Sequence, residues 1–176
     1  AEKHIPRARV PQEHVILTIK QNTLIPSAGI DESNANGFYV LWPVNSNEAA
    51  REIWEYARKK WRIAKLAVII TDSHTIPLRY GVLGISIGFF GLRPLKDYRG
   101  TLDIFGRELK ITQVNIPDAL SVMGTLLMGE GDEKTPMLII RGADFVEFSE
   151  TDTYHELIIP EGEDLYAPLL AAFQSY

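Results

Sequence analysis

Apolar residues in this chain fall in short runs separated by polar turns, and one stretch of helical period stands out. Across 45–62, Ala50, Ile53, Trp54, Ala57 and Trp61 recur at the spacing of one helix face, which predicts an amphipathic helix. Asn45 with Glu48 resembles a capping box, although that motif prefers Ser or Thr, and Glu55 with Lys59 forms an i,i+4 pair. A second helix opens at Pro117-Asp118, carries Ala119, Leu120, Val122, Met123, Leu126 and Leu127, and ends at Gly129. A third, short helix is predicted over 164–173, with Pro168 tolerable only near its first turn. Val15, Leu17 and Ile19 alternate within 14–20 and predict a strand. Further strands are predicted at 38–43, 82–90, 109–116 and 157–160. The apolar runs at 65–70 and 137–142 predict buried strands, the first covered on both faces. Residues 1–11 predict an irregular arm, 25–37 and 129–136 predict loops, and 147–155 is polar and unpatterned. Strands and helices do not alternate regularly, so the expected class is α+β rather than a doubly wound sheet.

Composition narrows the function. A chain of 176 residues favours one domain. Its net charge of −5 offers no basic footprint for nucleic acid. The absence of cysteine excludes disulfides, thiolate catalysis and sulfur-ligated metal. No signal peptide and no apolar run long enough for a membrane span are legible, so a cytoplasmic location without membrane contact is expected. The chain begins at Ala rather than Met, which suggests processing or trimming.

Candidate chemistry concentrates in 66–109, where charges crowd beside glycines. Asp72 follows an apolar run and precedes Ser73; carboxylate and hydroxyl oxygens suit Mg²⁺ or Mn²⁺, and an Asp there also suits a turn or cap. Asp31, in AGIDESN, reads equally as a second hard-metal carboxylate or an Asx turn. Arg79, Arg93, Arg99, Arg107 and Arg141 lie near glycine or proline and suit phosphate or carboxylate, or else surface pairing with Asp97, Asp103 and Glu108. His74 could titrate or hydrogen-bond a ligand, whereas His4, His14 and His155 show no metal spacing. Gly124 and Gly129 have P-loop spacing, but Glu130-Gly131 stands where Lys-Ser/Thr would reach phosphate. Trp42, Trp54 and Trp61 read as core or interface residues rather than base-stacking ones. No motif singles out a catalytic residue.

The order SAGIDESN, ITDS, RYGVLGISIGFFGLRPLKDYRGTLDIFGREL and MGEGDEKTPMLIIRG resembles the coenzyme F420-0:gamma-glutamyl ligase family over most of the chain, most specifically in PLKDYRG and FGREL. The resemblance implies a GTP- and divalent-metal-dependent ligase that joins L-glutamate to the F420-0 precursor through an acyl phosphate, with Mg²⁺ or Mn²⁺ offsetting phosphate charge. It implies an unusual α+β fold and an intertwined homodimer. It places metal ligands at Asp31, Asp72 and Ser73, and nucleotide contacts at Asn34 and at Met128, Gly129, Glu130, Gly131, Asp132, Glu133, Lys134 and Thr135. Family members carry a further N-terminal nucleotide-binding segment of roughly eighty residues, so residues 1–176 are expected to form one ligase-like domain without it. Glu130 stands where a basic residue is common, and His74-Thr75-Ile76 replaces a glycine turn. A non-catalytic or divergent paralogue that binds a metal or an anionic small molecule is the alternative expectation.

Overall fold

A computed structural model describes residues 1–6 and 15–175. Every strand pairing among them is antiparallel. β1 (Lys3–His4), β2 (Leu17–Lys20), β3 (Thr23–Pro26) and β8 (Gln174–Ser175) form a sheet in the order β3-β2-β1-β8. Chain positions more than 150 residues apart thus share one sheet, with Lys3 opposite Ser175. The β2–β3 hairpin turns on Gln21 and Asn22, whose φ values of 49° and 56° match the two-residue turn that follows strand twist.

A second layer pairs β4 (Val68–His74) with β5 (Leu83–Phe90), with a register irregularity between Ile70 and Thr71. Helices α1 (Ser46–Trp61) and α2 (Ile116–Met128) pack on β5. Two clusters hold this layer together. Phe90 of β5 meets Ala50 and Trp54 of α1. Ile87 of β5 joins Ile25 and Trp42, and Ile70 of β4 packs against both clusters. At Gly84 and Gly88 a Cβ would come within 2.2 Å of Ser121 O and 2.4 Å of Ser46 O. These two glycines let both helices seat closely on the strand. Asn45 caps α1 by accepting from Glu48 N at 3.0 Å, and Asn115 caps α2 by accepting from Asp118 N at 3.1 Å.

β6 (Leu95–Asp97) pairs with β7 (Gln113–Asn115), and the arm between them closes on a turn where Asp103 Oδ1 accepts from Phe105 N and Arg107 N. α3 (Ala167–Leu170) is a single turn. Among the described residues no helix is long and apolar enough to cross a membrane.

The α+β class and both long helices are as the sequence predicts, whereas the strands differ more. The N-terminal arm contains β1, and residues 7–11, with the predicted strand start at His14, lie outside the described residues. The strand predicted at 65–70 sits at Val68–His74 and is half-buried rather than covered on both faces. Residues 38–43 contribute one bridge, Asp31 to Val40. The strand predicted at 109–116 contracts to Gln113–Asn115. Residues 137–142 and 157–160 form no strand. Met137 and Ile139 are 81% and 72% exposed, contrary to the buried strand expected there. An apolar run becomes a strand only where another strand offers its backbone groups partners, and periodicity does not report that. The helix predicted over 164–173 shortens to α3, with Pro168 in its first turn.

Tyr154 joins a C-terminal turn to this core. Its hydroxyl donates to Gln21 O at 3.1 Å and its ring tilts against Phe89 at 5.7 Å. Burial pushes the phenol above its ordinary 10.0. The neutral form therefore favours the folded state. That stability is complete below pH 10 and is lost as pH rises through the folded value. Thermal melts between about pH 9 and 11 should show a steeper alkaline loss for the native chain than for Tyr154→Phe, which has no phenol to ionise.

Candidate metal and phosphate cleft

A cleft of about 220 Å³ is lined by Asp31, by Thr71, Asp72 and Ser73 of β4, by Thr125 and Met128 of α2, and by Gly129, Glu130, Thr135 and Pro136. Three consecutive residues of one strand can line one cleft only along the strand's edge, since neighbouring side chains point to opposite faces. Among the described residues β4 is paired with β5 alone, so its other edge is the one available. The cleft is smaller than the roughly 300–1,000 Å³ that encloses drug-sized ligands, and suits an ion with phosphate oxygens better than a whole nucleotide.

Asp31 sits in a tight local turn. Glu32 N and Ser33 N donate to Oδ1 at 2.7 and 2.9 Å, and Ser33 Oγ donates to Oδ2 at 2.5 Å. These donors, led by the Ser33 hydroxyl, hold its carboxyl below the usual carboxylate range. The Asx turn and the cleft position coexist in one residue. Asp72 accepts from Ser73 N at 2.8 Å through Oδ1 and from Trp42 Nε1 at 2.6 Å through Oδ2. Each oxygen keeps lone-pair capacity, because a carboxylate offers about four acceptor sites.

Asn34 Nδ2 donates to Gly131 O at 3.1 Å, joining segments 97 positions apart in sequence. Within the loop after α2, Glu133 Oε2 accepts from Gly131 N at 2.8 Å and Thr135 Oγ1 donates to Glu133 O at 3.1 Å. Gly131, Asp132, Glu133 and Lys134 are not among the lining residues, while Met128, Gly129, Glu130 and Thr135 are.

The donor set is chemically one-sided. Asp31, Asp72 and Glu130 supply carboxylates, Thr71, Ser73, Thr125 and Thr135 supply hydroxyls, and the described lining contains no Lys or Arg. Thr125 Oγ1 is buried without a hydrogen-bond partner and lies against Gly84, where a Cβ would approach to 2.3 Å. Hard oxygen donors fit Mg²⁺ or Mn²⁺. Among the described residues no group of three or more His, Asp or Glu is arranged as a complete ligand set. That is compatible with Mg²⁺, which takes one or two carboxylates and fills its shell with water and phosphate.

Several candidates lie elsewhere. Arg99 pairs with Asp97 at 2.6 Å, and Arg93 pairs with Glu147 and Glu156 at 3.2 and 2.6 Å. None of the five arginines lines the cleft. His74 is half-buried and also outside the lining; burial lowers its imidazole pKa, against the pull of Asp118 and Asp72. Trp42 and Trp54 are core residues, and Trp61 is exposed. Thr71, Thr125 and Pro136 carry no sequence signal; only the packing of α2 beside β4 brings them in.

The sequence profile of the F420-0:Gamma-glutamyl ligase family matches residues 4–142. The coenzyme F420:L-glutamate ligase of Methanocaldococcus jannaschii is 39% identical over 158 residues, covering 90% of this chain and 62% of that protein. The protein of the same name from Methanopyrus kandleri is 40% identical over 135 residues, covering 76% of this chain and 53% of its own length. That of Methanosarcina mazei is 38% identical over 153 residues, covering 86% and 59%. The chain thus spans less than two thirds of the length of these relatives. A profile match through most of the described fold, with relatives at this identity, shows that the chain belongs to the F420-0:gamma-glutamyl ligase family.

Proposed function

We propose that this chain carries the metal- and phosphate-binding part of a ligase that adds L-glutamate to coenzyme F420-0 or a related carboxylate at the expense of GTP. One observation carries the reading: among the described residues the cleft gathers three carboxylates and no basic side chain. Such a site repels bare phosphate and accepts it only with a divalent cation between them. The relatives' names supply the ligase reaction.

Asp31, Asp72 and Ser73 would hold the cation, with Glu130 as a further oxygen donor at the cleft's rim. When bound, Mg²⁺ or Mn²⁺ would offset charge on the phosphate oxygens. Asn34 and the loop from Met128 to Thr135 would contact the nucleotide, the hydrogen bond from Asn34 to Gly131 holding the two together. In the reaction, a precursor carboxylate oxygen bonds to the γ-phosphorus and GDP leaves. The glutamate amine then bonds to the acyl carbon, phosphate leaves, and the amine gives up a proton.

A homodimer belongs to this reading. Ile104, Phe105, Leu126, Met137 and Ile139 are large apolar residues left exposed on the single chain, which a second copy would have to cover in a dimer. Sedimentation should give twice the monomer mass.

The test supplies GTP, Mn²⁺, L-glutamate and F420-0 to the chain and measures GDP and the glutamylated product by mass spectrometry. Formation of both, each dependent on metal, is expected. Mn²⁺ binding with neither GDP nor product would show that this chain alone does not complete the ligation.

A further inference from the structure

Asp72 and Asp31 belong to different layers, and one short segment touches both. Asp31 N donates to Val40 O at 3.1 Å, and Val40 N donates to Asp31 O at 2.8 Å. Two residues on, Trp42 Nε1 donates to Asp72 Oδ2 at 2.6 Å. The indole is rigidly held. It is 8% exposed and packs with Ile25 and Ile87. Its pyrrole edge rests on Gly29, where a Cβ would fall 2.2 Å from Nε1. Gly29 has a φ of 66° and precedes Asp31 by two residues, so the loop bearing one carboxylate is moulded around the side chain that grips the other. Lys20 Nζ sits over the ring at 5.1 Å from its centroid and donates to Ala28 O at 3.1 Å, tying the same loop to the same indole.

An indole is a donor without acceptor or ligand capacity. It fixes the direction of a carboxylate without competing for the cation and without cancelling the charge, as Lys or Arg would. We propose that Trp42 is the positioning residue of the cleft, setting Asp72 at the distance and angle from the Asp31 loop that divalent-cation binding requires. The proposal rests on the reading of Asp31 and Asp72 as cation ligands. It differs from a purely core role, which would need the ring and not its N–H.

Calorimetry with Mn²⁺ alone on the whole chain provides the test, comparing native protein, Trp42→Phe and Asp72→Asn. Phenylalanine keeps an apolar ring and removes the donor. Loss of an outer partner of a metal ligand typically weakens binding about 10–100-fold, so Trp42→Phe should lose at least about tenfold. Its melting temperature separates this from general unfolding. A second readout needs no variant to fold. The three tryptophans give three indole N–H signals in a ¹⁵N spectrum, and saturating Mg²⁺ should shift one of them, the one hydrogen-bonded to Asp72. Native affinity retained in Trp42→Phe, or binding that moves no indole signal, overturns the role of Trp42 while leaving the cation site standing. Equal binding by native and Asp72→Asn, or none by the native chain, removes the cation site and this proposal with it.

Discussion

Asp72→Asn is expected to weaken Mn²⁺ binding by more than about 100-fold, beyond the range seen when only a supporting partner is lost. The side chain keeps its shape but loses its charge, and one of two acceptors becomes an amide donor. Trp42 Nε1 and Ser73 N both point donors at this group. Asparagine can accept from only one of them, so the other is left facing an NH₂. That mismatch costs about 1–3 kcal/mol of stability when a buried group goes unsatisfied. Calorimetry paired with melting curves distinguishes the two effects. Binding should collapse while a cooperative transition persists at a somewhat lower temperature. Unchanged Mn²⁺ affinity in the folded variant would remove Asp72 from the site. In the ligation assay the same variant should yield no glutamylated product.

Trp54→Ala is expected to produce the largest loss of stability of any single truncation in the fold, about 3–5 kcal/mol. Domains of this kind have only about 5–15 kcal/mol in hand, so the loss removes a large share of the total. The reason is the number of things this ring does. Trp54 meets Phe90 edge-on at 4.9 Å, fixing α1 to β5. Its Nε1 donates to Leu66 O at 2.8 Å, fixing the approach to β4. Arg58 covers its face at 4.6 Å from the centroid. Gly91 lies so close that a Cβ there would fall 2.5 Å from Nε1. Truncation opens a cavity and orphans the Leu66 carbonyl together. Trp54→Phe keeps most of the apolar contact and should lose far less. Denaturant titration of the three proteins ranks them, and a loss below about 1 kcal/mol in the alanine variant would show that the helix is held by other contacts.

The same indole chemistry thus serves stability at Trp54 and the cleft at Trp42. Sequence alone puts Trp42 in a predicted strand at 38–43 and Trp54 on a helix face, and reads both as core or interface residues. What separates them is the acceptor each N–H finds, a backbone carbonyl in one case and the Asp72 carboxylate in the other.

What the sequence determined by itself is local. The helical period, with Asn45 before α1 and Pro117-Asp118 opening α2, set the two long helices, because hydrogen bonds within a helix lie four residues apart and its start signals lie next to it. The apolar run near Val82 to Phe90 set β5, and the absence of cysteine excluded thiol chemistry in this chain. Motif order carried the family, which the profile and relatives show. The tertiary structure alone decided which apolar runs became strands. Met137 to Ile140 found no partner strand, while the short run Thr23 to Pro26 found β2. It alone decided that Asp31 and Asp72 share a cleft with Thr125 and Glu130, and that Asn34 reaches Gly131. These groups are brought together by layers packing, and packing depends on shape and on backbone partners distant in the chain, neither of which is written in local spacing.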